Sequence, residues 1–225
     1  MTTTTHMFTS QLAPFFEKGA LIESDNEEVM EKKIKGIFRK EKYKEIVLIS
    51  RRETEQGKEK ICGPRPWYLD KWWQEKLVNY ILVEADGAMS KPIKAPAFHE
   101  PVIPECTTDL IGVIGIDALG LIIEEKNVFR PHIFGFLTNL GIGEEINIES
   151  VVSLVKHPQG LFKNRPNFAQ TYLFINKINS KKREKLAEEL MNNILKNNEV
   201  ALDNIIIGNT FDINNPIYKG VFKAE

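Results

Sequence analysis

The stretch ILVEADGAMSKPIKAPAFHEPVIP, residues 81–104, holds the densest set of groups that could do chemistry. An apolar run delivers Glu84 and Asp86 to its carboxyl end, and two residues apart on a strand share a face. Hard carboxylate oxygens suit Mg²⁺, which is commonly held by one or two carboxylates with water and phosphate. A phosphoryl-transfer site needs such an acid pair. Gly87 lets the backbone turn or approach a phosphate closely. An acidic strand-end turn explains the same residues without a metal, and both readings stand at this level. The loop beyond is stiffened by prolines at 92, 96, 101 and 104. Lys91 and Lys94 could meet an anionic ligand. His99, beside Glu100, could carry a proton or hold a metal. For His99 alone, a solvated loop residue is the simpler reading. At the chain start, Thr2 to Thr5 and His6 add hydroxyls and an imidazole suited to a phosphate or a cation.

These groups need a scaffold. Five apolar segments read as strands: Glu45 to Arg52, Tyr80 to Gly87, Asp109 to Asp117, Thr171 to Lys177 and Asn204 to Asn209. Continuous apolar runs predict parallel strands buried on both faces. Helical patterns lie between them. One starts at Ser24 as N-cap, with Glu27 three residues on. A second starts near Pro66. A third, after Ser180, places Leu186, Leu190 and Ile194 on one side. Shorter helices are expected at Pro131 to Asn139 and Ile148 to Val155. The alternation predicts one α/β domain over residues 1–225, a three-layer, mostly parallel sheet flanked by helices. Ligands of such sheets bind outside the carboxyl ends of the strands.

Composition narrows the classes. Thirty basic residues balance 31 acidic ones, for a net charge of -1, so nucleic acid and anionic membranes are not expected partners. No apolar run reaches the roughly 20 residues of a membrane span. Two cysteines, Cys62 and Cys106, make no disulfide framework, and a reducing cytoplasm is the expected compartment. Both look too isolated for zinc, which favours paired ligand spacing. Cys106 is a weak candidate nucleophile near His99 and Asp109 in sequence. Trp67, Tyr68, Trp72 and Trp73 read as helix packing, with an exposed remainder. Arg130 before Pro131 reads as a solvated arginine or a phosphate contact.

The segment from Val83 to Pro104 resembles the signature of the selenium-dependent hydroxylase accessory proteins of the YqeC type. TTTTHMF at residues 2–8, GKEKICGP at 57–64, DLIGVIGIDALG from 109, NVFRPHIF, HPQGLFKNRP and FINKIN are similar to that family's other segments, so the resemblance runs through nearly the whole chain. It implies a P-loop NTPase-like α/β protein that binds Mg²⁺ and a nucleoside triphosphate, ATP or GTP. It also implies a maturation factor for selenium-dependent molybdenum hydroxylases, acting on or around the molybdenum cofactor. On that basis Glu84 and Asp86 hold Mg²⁺, and Thr4 and Thr5 offer hydroxyls to the metal or the γ-phosphate. Lys91, Lys94 and His99 line the adjacent anionic site, and Asn176 and Lys177 sit near the base.

Two departures matter. The family opens with a strand, a glycine-rich phosphate loop, a helix and a second strand whose end carries the threonines. Here only Met1 precedes Thr2, and GxxxxGK[ST] occurs nowhere in the chain. The chain is therefore expected to lack that N-terminal unit and to bind nucleotide weakly or not at all. The second departure is NKIN at Asn176 to Asn179, where guanine-binding proteins place Asn-Lys-x-Asp. Asn179 offers one acceptor oxygen and adds a donor, which weakens guanine selectivity. The alternative to a nucleotide enzyme is a chaperone-like module that grips a cofactor or a hydroxylase subunit.

Overall fold

A computed structural model describes residues 1–9, 19–39, 46–55, 57–196 and 202–222. Glu45, Lys40, Asn197 and Asn198, at the ends of expected elements, fall outside these. The fold is mixed α/β, and among the described residues five of the eight strand pairings are parallel. The chain divides into two compact units, Met1–Gly87 with Pro101–Cys106, and Ala88–Glu100 with Thr107–Glu225.

The first unit contains β1 (Thr2–Thr3), β2 (His6–Phe8), β3 (Ala20–Glu23), α1 (Glu27–Arg39), β4 (Ile46–Ile49), β5 (Arg51–Glu55), β6 (Lys58–Cys62), α2 (Pro66–Gln74) and β7 (Val83–Glu84). β3 pairs with β4 and β1 with β7, all parallel. The Leu48 N–H donates to the Met1 carbonyl at 3.0 Å, which carries the ladder from β4 to β1. On one face, Ile22, Ile46 and Leu48 pack against Met30 and Ile34 of α1 and Leu69 and Trp72 of α2. On the other, Val47 and Ile49 meet Met7 and Ile61 of the antiparallel sheet β2-β6-β5.

Three expectations change here. The run from Ile46 to Arg52 is two strands in two sheets, not one. At the break, Ser50 gives both its N–H (2.7 Å) and its hydroxyl (3.0 Å) to the Cys62 carbonyl. The segment from Tyr80 to Gly87 is a strand only at Val83–Glu84, and Tyr80 and Leu82 are exposed. β7 has a ladder partner on one side only, β1, among the described residues, so its apolar run is not enclosed. The cap of α1 is Asn26, whose Oδ1 accepts from the N–H groups of Glu28 (2.9 Å) and Val29 (3.2 Å). Ser24 instead accepts from the Asn26 N–H, forming a turn before the helix. Asn26→Ala should cost about 1 kcal/mol of stability, and Ser24→Ala less than half of that. Urea melts of the two variants check the order.

The second unit contains β8 (Ile93–Lys94), β9 (Asp109–Gly115), β10 (Val128–Phe129), α3 (Pro131–Thr138), α4 (Ile148–Lys156), β11 (Gln170–Asn176), α5 (Lys181–Leu195), β12 (Asn204–Gly208) and β13 (Ile217–Phe222). Its main sheet runs β13-β12-β11-β9, with β13 antiparallel and the rest parallel. Leu173, Ile175, Ile205 and Ile207 are buried with Val151, Val155, Leu190 and Ile194 of the helices. Burial on both faces does not hold throughout, since Ile111 and Val113 of β9 are 61% and 53% exposed. An apolar run reports β-propensity and leaves open which face is covered. Asn147 and Ser150 cap α4 reciprocally, and the Ser180 hydroxyl caps α5 through the Arg183 N–H at 3.3 Å.

Candidate functional site

In the first unit, parallel pairing sets Thr3 opposite Glu84. Both strands end there, so the segments after β1 and β7 leave the same, carboxyl edge of the sheet. The Thr3 hydroxyl donates to the Glu84 carbonyl at 2.9 Å and lies 3.3 Å from Glu84 Oε2. The Thr5 N–H donates back to Thr3 Oγ1 at 3.0 Å. The Thr4 hydroxyl donates to the Val102 carbonyl at 2.5 Å, and Thr2 donates to the Leu48 carbonyl at 3.0 Å. Thr2 and Thr3 are buried, while Thr4, Thr5, Glu84 and Asp86 are half-buried. The ladder stops at Glu84. The Ala85 carbonyl turns to the Val102 N–H at 3.2 Å, so strand alternation does not govern the Asp86 side chain.

Two glycines border this edge. A Cβ on Gly63 would lie 1.9 Å from the Thr3 carbonyl oxygen, so only glycine lets β1 pass there. Gly87 differs from its expected role. Its backbone φ is not left-handed, and a Cβ would meet only ordinary contacts, Glu84 Oε1 at 3.4 Å and the His6 carbonyl at 3.6 Å. The surroundings of Cys106 disfavour its thiolate. Burial first, and Asp70 second, push its thiol up to about 12. Its N–H donates to Asp70 Oδ1 at 2.8 Å.

In the second unit, Glu100 gathers the cations. Its carboxylate takes both terminal nitrogens of Arg130, one at 2.8 Å, and Lys94 Nζ at 2.8 Å. Burial pushes the Glu100 carboxyl up, but Arg130 and then Lys94 outweigh it and hold it at about 2. Lys163, also buried, donates to the carbonyls of Ala97 (2.8 Å) and Phe98 (2.7 Å). Arg130, partly exposed, pairs with Glu100 and stacks on Phe129 at 4.5 Å. Lys94 is as buried as Glu100, whereas the His99 side chain is 73% exposed, 3.8 Å from Glu100 Oε1. Lys91 donates to the Glu125 carbonyl. Met89 and Ser90, just before it, both have left-handed backbones, a costly conformation for non-glycine residues.

At the carboxyl edge of the second unit's sheet, Asn176 Oδ1 accepts from the N–H groups of Lys177 (2.7 Å) and Thr210 (3.0 Å). Lys177 Nζ pairs with Asp117 Oδ2 at 3.0 Å. Asp117 Oδ1 is buried and has no hydrogen-bond partner among the described residues. Sequence reasoning named Thr3 among the threonines but not its pairing with Glu84, and missed Glu100, Lys163 and Asp117 as site residues. Glu100 did stand next to His99, but its partners Arg130 and Lys163 are distant in sequence. Asp117 could have been found as the acid that ends the β9 segment.

Residues 1–132 match the family described as YqeC protein. The chain is also 38% identical over 125 residues to the uncharacterized protein YqeC of Escherichia coli (strain K12), covering 56% of this chain and 48% of that one. The chain thus spans about half the length of the curated relative it matches. No solved structure matches it. Among the described residues, no helix is long and apolar enough to cross a membrane.

Proposed function

Because the chain belongs to the YqeC family, we propose that it is a Mg²⁺-dependent nucleotide-binding accessory factor for the maturation of selenium-dependent molybdenum hydroxylases. In this reading it is cytoplasmic and of P-loop NTPase-like, three-layer design. The molybdenum cofactor or a hydroxylase subunit is its partner. One observation carries the reading: the parallel register of Thr3 with Glu84 at a carboxyl sheet edge, where α/β proteins bind ligands. Glu84 and Asp86 supply hard oxygens for Mg²⁺. The Thr4 hydroxyl, its proton spent on the Val102 carbonyl, keeps its lone pairs for a cation, and Thr5 lies beside it. In the second unit, Lys91, Lys94 and His99 are candidate contacts to an anionic group. The cations Lys94, Arg130 and Lys163 outnumber Glu100 there, which favours an anion. Asn176 and Lys177, at the carboxyl edge of the second unit's own sheet, are candidate contacts to a base.

Calorimetry with Mg²⁺-ATP and Mg²⁺-GTP tests this. Binding should require Mg²⁺. Glu84→Gln with Asp86→Asn should lower affinity by roughly tenfold or more. Binding of equal strength without Mg²⁺, or in that variant, would overturn the Mg²⁺ role.

A further inference from the structure

We propose that His6, Glu53 and Cys62 form a site for one zinc-type divalent cation, distinct from the Glu84–Asp86 pair. All three belong to the antiparallel sheet β2-β6-β5 of the first unit. Register sets His6 opposite Cys62 and Cys62 opposite Arg51, so one row crosses three strands on one face. Glu53 lies two residues beyond Arg51 on β5 and so shares that face. One donor atom from each of His6, Glu53 and Cys62 lies within 4.8 Å of the other two. His6 Nε2 and Glu53 Oε2 are already 3.2 Å apart.

A tetrahedral zinc ion, with bonds of about 2.0–2.3 Å, spaces its ligand atoms by about 3.3–3.8 Å. Closing the triangle therefore needs side-chain movement of about 1 Å, which the half-exposed His6 and Glu53 side chains allow. The backbone need not move, because the opposite face of the sheet is pinned by Met7 and Ile61 in the core. Arg51 Nε holds Glu53 Oε1 at 2.6 Å and leaves Oε2 to the cation, the kind of outer contact that orients ligands. Thiolate, imidazole and carboxylate together suit zinc, whereas magnesium and calcium take oxygen alone. On binding, the Cys62 thiol gives its proton to solvent and the thiolate bonds the metal. Three protein ligands leave a fourth position for water or for a donor atom of a bound molecule.

The test is a cobalt titration of the whole chain after chelator treatment. One equivalent of Co²⁺ should produce thiolate-to-cobalt charge-transfer absorption, and Zn²⁺ should abolish it by displacement. Excess Mg²⁺ should leave it unchanged, and its loss to Mg²⁺ would overturn the soft-donor assignment. Cys62→Ser should remove the charge-transfer band and Cys106→Ser should keep it. His6→Ala removes a half-exposed side chain, so it should fold normally, as circular dichroism would verify. It should weaken Co²⁺ binding by roughly tenfold or more. Absence of the band in the unmodified chain, its loss in Cys106→Ser instead, or unchanged affinity in folded His6→Ala would each overturn the site.

Discussion

Glu100→Ala should destabilise the second unit by about 3–5 kcal/mol, because it strands charges that the fold has already taken out of water. Lys94 is buried to the same degree as Glu100, and the Arg130 side chain is 23% exposed. Removing the carboxylate leaves the buried Lys94 and the partly buried Arg130 without their shared counter-charge. Replacing Lys94 by methionine in the same background should recover part of the loss, since an apolar chain removes one of the stranded charges. The pH dependence has a definite sign. The Glu100 carboxyl is depressed in the fold, from 4.5 to about 2, so its contribution is present above the ordinary carboxylate range. It is worth about 2–4 kcal/mol at neutral pH and is lost progressively as pH falls from about 4.5 towards 2. The gap in urea midpoint between the unmodified chain and Glu100→Ala should therefore be smaller near pH 3 than at neutral pH. A variant whose deficit is the same at both pH values would show that the carboxylate does not supply this stability.

The contrast between Glu100 and Glu84 explains what can be read from this sequence. The elements with strong local signals are where the residues predict them. β11, β12, α3 and α4 fall within a residue or two of their expected bounds, and α5 starts where Ser180 caps it, its expected end lying outside the described residues. The acids of residues 81–104 were visible because they stand together in one segment. The partners were not. Arg130 reaches Glu100 from 30 residues away, and Thr3 meets Glu84 across 81. Only the sheet register makes these pairs. The same holds for Cys62. Judged by sequence spacing it has no metal partners, yet three strands bring His6 and Glu53 to it. The threonines show the converse error. Thr2 and Thr3 look like surface ligands in sequence, but both are buried and hold strands together. The short antiparallel strands went unseen because β5 and β6 alternate charged residues without a long apolar run.

Gly63→Ala should cost about 3–5 kcal/mol, although it adds a single methyl group. The new carbon would stand 1.9 Å from the Thr3 carbonyl oxygen, 2.9 Å from the Thr3 carbonyl carbon and 2.5 Å from Thr2 Oγ1. Two of those atoms are backbone, so no rotamer change relieves the clash. Either β1 or the segment after β6 must move by an ångström or more. Moving β1 breaks the Thr3–Glu84 hydrogen bond and the Thr2–Leu48 bond, both inside the sheet. It also separates Thr4 and Thr5 from the strand end they share with Glu84. The substitution should therefore lose stability and Mg²⁺-dependent ligand binding together. Gly36→Ala in α1 is the matched control. Nothing lies within 4 Å of its added carbon, and an alanine inside a helix should raise stability by about 0.5–1 kcal/mol. Opposite signs for one chemical change would locate the cost in the crossing of β1 past Gly63. Equal, small effects at both positions would mean that β1 does not pass so close to residue 63. In that case Thr3 would not be held against Glu84 as the register requires.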